Sequence, residues 1–236
     1  MEGSPIIASP IRTAPPGVRP FVVAHRAGND LDRLHRAQAL GLGVIEADLH
    51  LYAGRIEVRH LKTLGPVPVL WDRWTLAPPW APRLRLERLL ASLRPGTELM
   101  LDLKGRDRRL AALVAAALGE HAPGMPVTVC ARHWPLLELL SGTHDVHPVH
   151  SVGARRHLHA LRRRYHGRRV HGVSIHQKLL DAATVDDLRR RADLVMTWPV
   201  QTREQVRRLV GWGVPGLITD VPELVAAELS DMGVAT

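Results

Sequence analysis

The chain is poor in cysteine, lysine and single-ring aromatics: its 236 residues include one Cys, one Phe, two Tyr and only three lysines, Lys62, Lys104 and Lys178, among 32 basic residues. Each scarcity excludes something. A single thiol, Cys130, can form neither an internal disulfide nor a thiolate zinc cluster, so an oxidising compartment is not required. No apolar run approaches the roughly 20 residues that span a bilayer. A hydrophobic content of 45% is too high for a disordered chain and supplies the core of one domain. The excess of basic over acidic residues, a formal charge of +9, is almost all arginine. Beside abundant Ala, Leu, Gly and Pro, that bias reads as the nucleotide composition of the source genome. It permits attraction to phosphates, nucleic acid or an anionic membrane surface without selecting among them. Residues 1–19 carry prolines at positions 5, 10, 15 and 16 and lack the continuous apolar stretch of a secretory signal. They read as a flexible tail, with a cytoplasmic protein expected. Residues 20–236 read as a single domain.

From Phe21 onward, short apolar runs alternate with stretches of helical periodicity, the pattern of strand and helix units around a parallel sheet. Eight runs read as strands: 21–24, 44–49, 98–103, 127–131, 146–152, 170–175, 193–197 and 216–219. Helical periodicity follows at 31–40, 86–93, 108–118, 135–140, 155–164, 184–191, 202–210 and 222–229. Asp181 and Thr202 stand where helix N-caps belong, and Asp220 stands where one would cap the last helix. Eight strands, each paired with a helix, predict a (β/α)8 TIM barrel at the small end of its usual size of about 250 residues. Residues 61–85, rich in Pro and Trp, read as a small insertion after strand 2 that leans over the barrel mouth.

Barrel enzymes carry their reactive residues at the C-terminal ends of the strands. Here His25 and Arg26 end the first strand, Glu46 and Asp48 the second, and Asp102 and Lys104 the third; Trp198 follows the seventh and Asp220 the eighth. Side chains alternate along a strand, so Glu46 and Asp48 share one face while Ile45, Ala47 and Leu49 share the other. The same parity sets Asp102 beside Lys104. Three converging carboxylates require a neutralising cation, and oxygen donors suit a hard ion such as Mg²⁺ or Ca²⁺. After the second strand, Ala53 and Gly54 mark a turn and residues 55–60 read as a returning strand, which brings His60 back to the mouth. Two histidines, His25 and His60, thereby flank the metal site as candidates for proton exchange near neutral pH.

These residues resemble the glycerophosphodiester phosphodiesterase family: VAHRAG with His25 and Arg26, IEAD with Glu46 and Asp48, the hairpin to His60, LDLK with Asp102 and Lys104, TWPV with Trp198, and LITDVPEL with Asp220. The resemblance implies a barrel hydrolase that cleaves glycerophosphodiesters to glycerol 3-phosphate and an alcohol, with one divalent cation held by Glu46, Asp48 and Asp102. It further implies His25 and His60 as general acid and base, Arg26 and Lys104 as partners of the phosphate, and Trp198 as a wall of the glycerol pocket. The pattern departs from the family at Ala27 and Leu61, usually Gly and Asp, and at Asp102, usually Glu. It also lacks a Pro-Glu-Asn-Thr segment, in whose place NDLDRLHRA runs from Asn29. Asp102 with Lys104 is also similar to the D-L-K of sphingomyelinase D-like phospholipases, which leaves a lipid phosphodiesterase as an alternative.

Three plainer readings stand beside these. The carboxylates can pair with Arg26 and Lys104 in a structural network, leaving a catalytically silent barrel that binds a membrane or polyanion. The run from Ala154 to Arg169 holds seven arginines and reads as a solvated outer helix, with weak anionic membrane-surface contact and no specific nucleic-acid partner. His50 shares the face of Asp48 as an outer-shell residue.

Overall fold

The computed structural model describes residues 19–64, 67–72, 75–78, 82–143 and 145–234. The tail expected over residues 1–19 falls almost wholly outside them. Strands β1 (Phe21–Ala24) and β2 (Val44–Tyr52) are separated by a 3₁₀ turn (Ala27–Asn29) and α1 (Leu31–Ala39). β2 turns back into β3 (Arg55–Val58), and β4 (Lys62–Leu64), β5 (Val67–Asp72), β6 (Thr75–Ala77) and β7 (Leu84–Arg85) follow. The chain continues through α2 (Leu86–Ala91), β8 (Glu98–Leu103), α3 (Arg108–His121), β9 (Val127–Ala131), α4 (Pro135–Leu139) and β10 (Val146–Val152). α5 (Arg155–Arg164), β11 (Val170–His176), α6 (Ala182–Arg191), β12 (Ala192–Trp198), α7 (Arg203–Gly211), β13 (Gly216–Thr219) and α8 (Pro222–Asp231) complete it. The strand order β1-β13-β12-β11-β10-β9-β8-β2, with β1 also paired to β2, closes an eight-stranded parallel (β/α)8 barrel. Among the described residues no helix is long and apolar enough to cross a membrane.

The residues group into two compact units, Val23–Ser151 and Val152–Thr236 with the segment ending at Val22. In the first, α3 buries Leu110, Ala111, Val114, Ala117 and Leu118, the spacing of one helical face. The insertion is not a loop. β4, β5 and β6 form an antiparallel sheet of three strands, and β7 pairs with β3. Trp71 on β5 is 40% exposed and Leu76 on β6 is 77% exposed; Trp74 and Trp80 lie outside the described residues.

In the second unit, Asp181 accepts from the Thr184 N–H at 2.7 Å and Thr202 from the Gln205 N–H at 3.2 Å, as their N-cap positions require. The N-cap position of α8 falls one residue after Asp220, at Val221, and has no side-chain cap. Pro222 at the first helical position has no N–H to satisfy, and the Val221 N–H donates to Thr219 Oγ1 at 3.0 Å. α7 and α8 are tied by buried Glu228, which accepts from Arg203 at 2.7 Å and Arg207 at 2.5 Å. The Arg207 and Arg203 hydrogen bonds hold the Glu228 carboxyl below its ordinary 4.5. A depressed folded-state pKa stabilises above the unfolded value, and that contribution is lost as pH falls through the folded one. Glu228→Gln is therefore expected to lower the melting temperature by a few degrees at pH 7, and the gap from wild type should close as pH drops below 4.5. A gap of constant size in thermal unfolding from pH 7 to pH 3 would assign the loss to packing instead.

Candidate active site at the ends of β1, β2 and β8

Alternation along β2 puts Ile45, Ala47 and Leu49, each 0% exposed, on one face and Glu46, Asp48 and His50 on the other. The parallel register pairs Asp48 with Asp102 of β8. Oxygens of Glu46, Asp48 and Asp102 consequently lie within 4.8 Å of one another, the convergence that parity alone predicted. Lys104 contacts the Asp102 carboxylate, and its Nζ lies 2.5 Å from Asp48 Oδ1.

β1 is only four residues long and its ladder with β2 ends at Ala24–Ile45, while β3 pairs with the same edge only from Leu49 onward, so between those points the edge of β2 has no strand beside it among the described residues. The turn after β1 covers that edge. Arg26 adopts a left-handed conformation with φ 57°, a strain of roughly 1–2 kcal/mol for a non-glycine residue. There its N–H donates to Glu46 Oε2 at 2.6 Å, and its Nε stands 3.7 Å from Asp48 Oδ2. Gly28 lies so close to β2 that a Cβ would come within 2.8 Å of Ala47 Cβ. Asn29 then reads Asp48 twice: its Oδ1 accepts the Asp48 backbone N–H at 2.7 Å, and its Nδ2 donates to Asp48 Oδ2 at 2.8 Å.

The β2–β3 hairpin pairs Leu49 with Val58, and the Arg59 N–H donates to the Asp48 carbonyl at 2.9 Å. Pairing as strand stops at Val58, two residues before His60, yet the hairpin returns His60 as expected. Its Nδ1 lies 3.1 Å from Asp48 Oδ2. An ionised carboxylate only accepts, so Nδ1 carries a proton, and whenever the ring is neutral Nε2 is its basic nitrogen.

Electrostatics separates the carboxylates. Burial pushes Glu46 well above the ordinary carboxylate range, and the charges of Asp48 and Asp102 add to the push. Asp102 is raised by burial more than Lys104 lowers it. Asp48 is also buried, but hydrogen bonds from His60, Lys104 and Asn29 and the Lys104 charge outweigh burial and hold it far below its usual range. Lys104 is raised, because its three carboxylate neighbours more than offset its own desolvation. His50 is pushed down to about 3 by burial and by the Arg59 charge, so it stays neutral. The donor set fits a hard divalent cation: three carboxylates converge, two of them costly to ionise without a cation, and buried Asp102 Oδ1 has no hydrogen-bond donor among the described residues.

The other residues singled out from sequence fall as follows. His25 is half-buried in the turn directly after β1, next to Arg26. Trp198 ends β12 in the second unit, half-buried, its ring edge-on to His176 with centroids 4.8 Å apart. Asn29 was not foreseen, since its role depends on where β1 stops. Arg132 was also missed, although the rule that found the others covers it: it directly follows the apolar run of β9, is exposed, and its charge acts on Asp102. Supporting groups that orient a metal ligand typically contribute 10- to 100-fold to affinity or activity. Asn29→Ala is accordingly expected to weaken divalent-ion binding by roughly 10- to 100-fold while circular dichroism stays unchanged. Titration of the metal against both proteins measures it, and equal affinities would remove Asn29 from the site.

A cavity of about 770 Å³ opens beside these residues, lined by Arg26, Asn29 and His60 on one side and by Leu70, Ala77 and Arg83 of the insertion on the other. Insertion residues and candidate site residues thus line one cavity within this unit.

No family model and no curated protein matches the chain. Solved structures do. An Oleispira antarctica phosphodiesterase in complex with the product sn-glycerol-3-phosphate superposes with a TM-score of 0.73 at 18% identity, covering 90% of this chain and 97% of that one. A glycerophosphodiester phosphodiesterase from Parabacteroides distasonis gives 0.73 at 19% identity, covering 91% and 98%. The Thermotoga maritima glycerophosphodiester phosphodiesterase gives 0.67 at 16% identity, covering 88% and 97%. At these identities the shared property is the fold, and it is the fold of the family that the motifs resemble.

Proposed function

We propose that the chain is a metal-dependent phosphodiesterase that hydrolyses glycerophosphodiesters to glycerol 3-phosphate and an alcohol. The observation that carries this reading is the buried convergence of Glu46, Asp48 and Asp102, with His60 hydrogen-bonded to Asp48 and Arg26 and Lys104 alongside. Glu46, Asp48 and Asp102 would hold one Mg²⁺ or Ca²⁺, and a bound divalent ion supplies charge stabilisation to the phosphoryl oxygens.

The chain's own residues supply the rest. With Nδ1–H held by Asp48, His60 presents a basic Nε2 that can take a proton from an attacking hydroxyl. His25 is assigned the complementary role of giving a proton to the departing alcohol oxygen. If the substrate's glycerol hydroxyl attacks, one oxygen–phosphorus bond forms as the bond to the alcohol breaks, and water later opens the cyclic phosphate with the proton roles reversed. Arg26 and Lys104 offset charge on the phosphate. Trp198 is assigned to the glycerol side. The substrate is a small molecule, the proposed setting cytoplasmic, and any contact with anionic membrane weak.

The direct test is a panel of glycerophosphodiesters assayed for glycerol 3-phosphate with Mg²⁺, with Ca²⁺ and after chelation. Release that requires a divalent ion is expected; turnover indifferent to chelator would remove the metal from the mechanism. A second reading, a lipid phosphodiesterase, is favoured by the exposure of Trp71 and Leu76 on the insertion. It predicts turnover restricted to substrates with an acyl chain.

A further inference from the structure

The cavity next to His60 is larger than the reacting atoms need, and its volume of about 770 Å³ falls in the range of whole small-molecule sites. One wall consists of residues assigned to the chemistry. The remainder comes from the first turn of α1, from α2 and from the insertion, so whatever part of a substrate extends past His60 enters it.

Its charge is unevenly opposed. Arg59 and Arg83 share one carboxylate, that of Glu57, at 2.6 and 3.2 Å. Arg26 stands against Asp48. Arg33 in α1 and Arg88 in α2 also line the cavity, and neither side chain has an acceptor among the described residues. Of the two aspartates in the lining, Asp30 accepts the Arg33 N–H at 3.0 Å. Among the described lining residues two carboxylates, Asp30 and Asp32, stand with five arginines.

Resting on the phosphodiesterase reading above, we propose that this cavity receives the leaving alcohol of the diester, and that Arg33 and Arg88 select alcohols carrying an anionic group of their own, such as a second phosphate. Guanidiniums bind phosphate and carboxylate oxygens in paired, charge-assisted hydrogen bonds, whereas a choline head would meet mainly like charge. Leu61 and Leu70 give the carbon skeleton of the alcohol an apolar wall.

The experiment compares four substrates under one divalent ion: glycerophosphodiesters of choline, of glycerol and of an inositol phosphate, and a lysophospholipid. The expected result is a KM for the inositol phosphate diester roughly tenfold or more below that of the glycerol diester, with the preference fading as salt rises from about 50 to 500 mM. Arg33→Gln combined with Arg88→Gln should erase that difference in KM while leaving kcat for the glycerol diester within about twofold. Equal KM values, a preference that survives the double variant, or preference for the acylated substrate would overturn the proposal. Should no diester be turned over, the phosphodiesterase reading fails by itself. Calorimetric titration with free inositol phosphate then decides the cavity: saturable binding lost in the double variant supports it, and no binding overturns it.

Discussion

Replacing Asp48 by Asn should abolish turnover while leaving the protein folded. The reasoning is one of charge and shape. Asp48 is 0% exposed and meets Asn29, His60, Arg26 and Lys104. Asparagine keeps the volume and can still pair with Asn29, so no cavity is created. Ionising all three carboxylates beside Arg26 and Lys104 leaves one negative charge in excess of these two cations, and a divalent ion stabilises that ionised state. Asn at 48 removes the one carboxylate that is held ionised, so the fold tolerates it but a divalent ion loses its anionic donor. Loss of one preorganised electrostatic group costs roughly 10²–10³ in rate; here a metal donor and the partner of His60 go together, so kcat/KM should fall by at least that much. Thermal unfolding provides the control. Wild type should melt higher with added divalent ion, as any ligand specific for the folded state requires, and Asp48→Asn should not respond. A variant that retains both the metal response and the turnover would remove Asp48 from the site.

The second large effect is expected at His60. His60→Ala should lower kcat by roughly 10²–10⁴, the usual contribution of a positioned acid or base, with the metal-induced rise in melting temperature preserved because Asp48 keeps its other partners. Two further readouts separate catalysis from structure. The pH profile of kcat/KM should lose one of its limbs, and imidazole should restore part of the rate, since His60 borders an open cavity. A loss below tenfold with an unchanged pH profile would reassign the proton transfer, with His25→Ala as the next variant to measure.

What the amino-acid sequence determined here is what depends on local periodicity. Alternation within β2 placed Glu46 and Asp48 on one face, parity within β8 placed Asp102 with Lys104, and the Ala53–Gly54 turn returned His60 to Asp48, because each relation spans only a few bonds of regular backbone. The strand and helix count yielded the barrel for the same reason. The insertion was legible only as an interruption: the pairing of β4, β5 and β6 and of β3 with β7 requires long-range register that its Pro-rich composition does not encode locally. Asp220 had the composition of a cap, and the N-cap position of α8 falls one residue later, at Val221. Asn29 acquires its role because β1 stops at Ala24 and leaves the β2 edge open, and Gly28 is what lets the turn approach closely enough to fill it. Arg33 and Arg88, 55 positions apart in sequence, line one cavity only because α1 and α2 pack at the same end of the site. Which charges converge within a strand is a matter of backbone geometry; which ones meet across segments is decided by tertiary packing.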